Sequence, residues 1–139
     1  EILDIDYFKQ YNDRYGHQAG DDCVRAIAAL IRQMESDQIF CARYGGDEFV
    51  IIYSGMSAEE VCERAEKLRQ DVMALQIEQR YAEGSFGVTI SQGICHDIPS
   101  NGNKNWDFLH VADQALYRVK RRGRNRLCMT DIHGREIEV

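Results

Sequence analysis

The sequence predicts an α+β fold, a mostly antiparallel sheet of about five strands flanked by helices. Three observations point there. Short apolar runs rich in β-branched and aromatic residues alternate with segments of helical periodicity. Two of those runs, Ile39-Phe40-Cys41-Ala42 and Phe49-Val50-Ile51-Ile52-Tyr53, are separated only by the stretch 43–48 and so read as a hairpin. The other strands are divided by helices, which gives the order β-α-β-β-α-β-α-β.

Ile2-Leu3-Asp4-Ile5-Asp6 reads as the first strand, with Asp4 and Asp6 on one face and Leu3 and Ile5 on the other. A carboxylate in an apolar strand is costly to bury without a metal or a hydrogen-bond network. For Asp4, a solvated strand end and a metal ligand both fit. Tyr7 to His17 predicts a short helical turn closed by Gly16. Gly20-Asp21-Asp22 opens a longer helix, with Asp21 or Asp22 as its cap and Val24, Ile27, Ile31 and Met34 as its buried face. Gly45 and Gly46 predict a tight hairpin turn, because glycine takes positive φ without a side-chain clash. Ser57 and Glu60 have the spacing of a capping box, and Val61, Ala65, Leu68, Val72 and Leu75 then mark an amphipathic helix. Phe86 to Cys95 predicts a strand, Asp97 to Asn105 a loop, and Trp106 to Arg122 a helix ended by Gly123. Leu127 to Thr130 is a last strand, and Asp131 to Val139 a weak hairpin around His133-Gly134.

Composition narrows the function. The chain of 139 residues has the size of one domain, 1–139, with 44% hydrophobic and 29% charged residues, as in soluble globular proteins. No apolar run reaches membrane-spanning length, so no direct membrane contact is expected. A formal charge of −6 argues against general nucleic-acid binding, although Lys120, Arg121, Arg122, Arg124 and Arg126 form a basic block. The five cysteines are scattered among apolar neighbours and read as core residues of a reducing compartment, the cytoplasm. The four histidines show no metal-ligand spacing. The chain starts inside a strand and without Met, which predicts a piece of a longer protein. At the hairpin tip, Asp47 and Glu48 follow a backbone without side chains. That combination suits a polyphosphate carrying divalent metal, and it also suits a plain solvated tip.

Four separated segments resemble one family. "RYGGDEF" carries the signature of the GGDEF domain, the catalytic domain of bacterial diguanylate cyclases. "LDIDYFKQYNDRYGHQAGDD" resembles that family's first-strand motif, "VTISQGI" its T-x-S-x-G strand, and "ADQALYRVKRRGRN" its A-D-x-A-L-Y helix, with Val119 in place of the usual Ala. The resemblance implies a fold like the palm of nucleotidyl cyclases and polymerases. It implies a reaction in which two GTP molecules, held on two facing domains of a homodimer, become cyclic di-GMP with loss of pyrophosphate. It implies Mg²⁺ or Mn²⁺, two per GTP, on Asp4, Asp47, Glu48 and the main-chain carbonyl of Ile5. Asp47 matches the position that helps to deprotonate the attacking hydroxyl, and Glu48 a further acid of the same site. Asn12 and Asp21 match the guanine-reading pair. The backbone around Phe8 and Lys9 matches phosphate contacts. Lys120 and Arg124, one helical turn apart, match triphosphate contacts, and Gly45 and Gly46 leave room for the nucleotide.

The chain departs from the family in two places. The product-binding R-x-x-D positions hold Ser36, Asp37, Gln38 and Ile39, which predicts no product feedback there. The family's N-terminal helix and its D-x-L-T-G-L-x-N-R motif are missing, as is any upstream sensory or dimerisation segment. An alternative reading is a non-catalytic GTP-binding module that regulates an attached domain. The retained acids and basic residues favour catalysis over it.

Overall fold

A computed structural model describes residues 1–79, 87–104 and 106–139, so the expectations placed on Phe86 and Asn105 lie outside the described residues. The elements are β1 (Ile2–Ile5), α1 (Phe8–Tyr15), α2 (His17–Arg32), β2 (Ile39–Arg43), β3 (Glu48–Tyr53), α3 (Ala58–Ala74), β4 (Ile90–Cys95), α4 (Asp107–Arg121) and β5 (Leu127–Thr130). They form a 5-stranded sheet in the order β2-β3-β1-β4-β5. All pairings are antiparallel except β4 with β5, which are joined through α4 as a parallel pair requires. The α+β expectation holds, as does the mostly antiparallel sheet. Among the described residues no helix is long and apolar enough to cross a membrane.

The alternation along β1 sorts the core into two layers. Leu3 and Ile5 join Ile51, Ile90, Ile27, Ile31, Leu68 and Val72 in the larger cluster, beneath α2 and α3. Ile2 points the other way and packs with Val50, Ala112 and Leu116 beneath α4. Helix α4 lies directly on β4 because residue 93 is glycine. A Cβ there would fall 2.2 Å from Leu116 N and 2.3 Å from Ala112 O. Gly93 pairs with Ile2 and Ser91 with Asp4, so the next turn of α4 carries Lys120 over Asp4.

Several local expectations are corrected. Helix α2 starts at His17, with Gly16 (φ 90) as N-cap and no side-chain cap, so Asp21 and Asp22 lie inside the helix. Gly16 closes α1 and opens α2 in one residue, which leaves no room for the expected cap. Asp22 pairs instead with Arg25 at 3.2 Å. Strand β4 begins at Ile90, although Thr89 O already accepts from Asp6 N at 2.9 Å. Leu75 ends α3 as its C-cap and is 38% exposed, so the apolar stripe stops at Val72. Neither Gly45 nor Gly46 has positive φ. The hairpin loop is pinned by Tyr44 N and Gly45 N on Glu48 O (2.8 and 3.2 Å). The Arg43 guanidinium adds bonds to Gly45 O (3.0 Å) and Gly46 O (2.6 Å). The capping box of Ser57 and Glu60 is present. Past β5, Asp131 N donates to Arg135 O (2.8 Å) and Thr130 bridges Glu136, so the tail does turn back at His133-Gly134.

Candidate active site

Asp4 and Glu48 are register partners on β1 and β3, and β-sheet partners present their side chains to the same face. Asp47 immediately precedes Glu48, and its carbonyl accepts from Ile5 N at 3.2 Å. The three acids therefore meet at one end of adjacent strands. They do not form a ready-made cage: among the described residues no three Asp, Glu, His or Cys side chains stand close enough to hold a metal ion. Asp4 is 6% exposed, and the ammonium of Lys120 sits on its Oδ2. Its Oδ1 is buried without a partner. Burial pushes the Asp4 carboxyl up to about 6 against the opposing pull of Lys120, with Asp6 and Asp47 adding to the rise.

The acid two residues on is bonded very differently. Asp6 accepts from Ser91 Oγ (2.6 Å), Thr89 Oγ1 (2.7 Å) and the backbone N–H of Asn125 (3.1 Å). Alternation places both acids on one face of β1, yet only Asp4 keeps an oxygen free.

Helix α1 starts at Tyr7, whose φ of 55 is left-handed, and no side chain caps it. Phe8 and Lys9 form its first turn, where backbone N–H groups and the helix dipole favour an anion. Asn12 lies half-buried on α1, with a buried Oδ1 that has no partner. It is held against α2 at Gly20, where a Cβ would come 1.8 Å from Asn12 Oδ1. The next residue of α2, Asp21, is exposed. Asn12 and Asp21 thus flank a single helix contact that only glycine permits.

Lys120 and Arg124 do not share a helical face as their spacing suggested. Helix α4 ends at Arg121, Gly123 has φ 109, and Arg124 N turns back to Val119 O at 3.0 Å. Arg124 then lies with its guanidinium over the Tyr7 ring, 4.6 Å from the centroid. One cation lies on Asp4 and the other above Tyr7, three residues further along the chain. Arg122 of the basic block pairs with Glu136. At the hairpin, a Cβ on Gly46 would meet nothing within 4 Å, so the protein itself does not demand glycine there.

The family model for the diguanylate cyclase GGDEF domain matches residues 2–126. The chain belongs to the GGDEF family. It is 37% identical over 138 residues to a diguanylate cyclase of Vibrio cholerae (serotype O1, strain Classical Ogawa 395), covering 91% of this chain and 38% of that protein. It is 35% identical to diguanylate cyclase A of Treponema denticola, covering 93% and 34%. The chain thus spans 27–38% of the length of the curated relatives it matches. Among solved structures it is similar to the GGDEF domain of DgcB from Caulobacter crescentus in complex with c-di-GMP, with TM-score 0.81 and 36% identity, covering 95% of this chain and 75% of that one. The active GGEEF domain of a Vibrio cholerae diguanylate cyclase gives TM-score 0.76 and 34% identity, covering 92% and 79%.

In this GGDEF domain the sequence-predicted residues Asp4, Ile5, Asp47, Glu48 and Lys120 gather at the end of β1 and β3. Phe8, Lys9, Asn12 and Asp21 follow on α1 and α2, and Arg124 reaches their start through Tyr7. Sequence reasoning missed Asp6, Tyr7 and Asn125. The signal for Asp6 was in the strand alternation, which made it a same-face companion of Asp4. Nothing local marked Tyr7 or Asn125.

Proposed function

We propose that this domain is the catalytic half-site of a diguanylate cyclase. It binds one GTP, and two copies in a homodimer join their nucleotides by two 3′-5′ phosphodiester bonds, releasing pyrophosphate. The observation that carries this reading is the end of β1. There a buried carboxylate with one free oxygen carries the Lys120 ammonium and pairs across the sheet with Glu48, and the Arg124 guanidinium lies over Tyr7 at the uncapped start of α1.

Asp4, Asp47, Glu48 and the Ile5 carbonyl fit Mg²⁺ or Mn²⁺, since all are hard oxygen donors and Asp4 Oδ1 lacks a partner. When bound, the metal supplies charge neutralisation of the triphosphate and polarisation of the α-phosphate. The remaining work falls to the chain. Lys120 exchanges Asp4 for a phosphate oxygen, and Arg124 reaches the same triphosphate from above Tyr7. The Phe8 and Lys9 N–H groups take a further phosphate oxygen. Asn12 and Asp21 read the guanine edge, the orphaned Asn12 Oδ1 accepting a base N–H. Asp47 accepts the proton of the 3′-hydroxyl, with Glu48 beside it, and the bare backbone of Gly45 and Gly46 leaves the nucleotide space.

The product-feedback site is absent. Ile39 occupies the position of its aspartate and is 4% exposed, packed in the core with no polar atom to offer. GTP places the reaction in the cytoplasm. Upstream sensory or dimerisation segments of the parent protein bring the two domains face to face.

The deciding test is incubation of the parent protein with Mg²⁺ and GTP, followed by nucleotide separation. Cyclic di-GMP should form, with specific activity that falls on dilution as dimers dissociate. Tight GTP binding without product at high protein concentration would replace this reading with that of a regulatory GTP-binding module.

A further inference from the structure

We propose that Asp6 is a positioning residue for the phosphate-binding loop, acting on the nucleotide through Arg124. The inference rests on the functional reading above and deepens it. Four non-glycine residues among those described have positive φ: Tyr7, Gln76, Arg124 and Asn125. Three of the four meet at one place. The Arg124 guanidinium stacks on Tyr7, and Asn125 follows Arg124 directly. Left-handed backbone at an arginine persists only where the surroundings over-determine it.

Arg124 N is held by Val119 O, and Asp6 supplies the buried constraint on the next residue. Asp6 is 3% exposed, and both of its carboxylate oxygens accept from protein donors, three in all. Ser91 on β4 and Thr89 just before that strand fix its orientation through their hydroxyls, and the third donor is the Asn125 backbone N–H. Ser91 Oγ lies 3.3 Å from the same N–H. From the other side Arg69 donates to the Asn125 side chain (Oδ1, 3.1 Å), and Arg69 is itself held by Glu66. The loop is therefore clamped between a buried acid just past β1 and a paired cation of α3, and Arg124 is left pointing at Tyr7. Asp6 also immediately precedes Tyr7, so one residue holds the arginine loop and anchors the start of the turn on which the arginine rests. With all three bonds committed inside the protein, Asp6 has no role as a substrate or metal contact; its effect on the nucleotide passes through Arg124.

The test is a double-mutant cycle on the parent protein, read by binding of a non-hydrolysable GTP analogue and by turnover. Asp6→Asn keeps the shape and breaks the acceptor pattern, and Thr89→Val removes one supporting donor more gently. Each should weaken binding and raise KM, about tenfold for Asp6→Asn, while kcat changes much less. In an Arg124→Ala background the same substitutions should add little. Thermal melting identifies any variant that has simply lost its fold, and Thr89→Val keeps the proposal open to refutation in that case. Equal losses in both backgrounds, or a fall in kcat with KM unchanged, would overturn the positioning role while leaving the cyclase reading intact. Failure of the unmodified protein to bind the analogue would instead overturn the cyclase reading, and this inference with it.

Discussion

Asp4 and Asp6 are chemically identical and two residues apart, yet their surroundings assign them opposite tasks. Asp6 is saturated with donors, whereas Asp4 keeps a buried oxygen free and shares the other with a movable ammonium. The Asp4 carboxyl is raised to about 6 by burial, above its ordinary 3.8, so the ligand-free fold binds its proton more tightly than the unfolded chain does. That contribution to stability is complete below 3.8 and is lost as pH rises through about 6. Asp4→Asn should therefore stabilise the ligand-free domain at pH 8 by on the order of 1–2 kcal/mol and have little effect near pH 4, as followed by urea unfolding. The same variant should lose turnover. At the hairpin, Asp47→Asn should lower turnover about 100-fold or more with melting temperature unchanged. At the proposed guanine contact, Gly20→Ala drives a methyl into Asn12 Oδ1 and should weaken GTP binding about tenfold by titration calorimetry. Asp21→Ala should weaken GTP more than ATP, because only guanine offers the donor edge that a carboxylate reads.

The elements deliver these residues through a few glycines and caps. Gly93 lets α4 rest on β4 and so carries Lys120 to Asp4. Gly93→Ala places a methyl against helix backbone at Ala112 and Leu116, which cannot move as a side chain can. It should destabilise the domain by about 3 kcal/mol or more, measured by denaturant unfolding. Ser57→Ala removes half of a formed capping box far from the site and should cost about 1 kcal/mol without altering turnover. These two variants separate scaffold from chemistry: both lose stability, and only the first moves Lys120, the proposed phosphate contact.

For the molecule as a whole, Asp4 and Glu48 pair between inner strands of the sheet, whereas the Ser36–Ile39 turn leads into the outer edge strand β2. With Ile39 buried there, turnover should proceed without inhibition by added cyclic di-GMP, and Asp37→Ala should not alter the progress curve. Saturable product inhibition abolished by Asp37→Ala would contradict this.

Local sequence alone determined the order of the elements, the two-faced alternation of β1, the capping box and the acids at the hairpin. Each of these follows from periodicity or short-range hydrogen bonding within a few residues. Tertiary structure decided the rest. It turned Arg124 off the helix and onto Tyr7, and it gave Asp6 its three donors from the Thr89–Ser91 segment and the loop after α4. The physical reason is sequence distance. The partners of Asp6 stand 83, 85 and 119 residues away, beyond the reach of any local pattern.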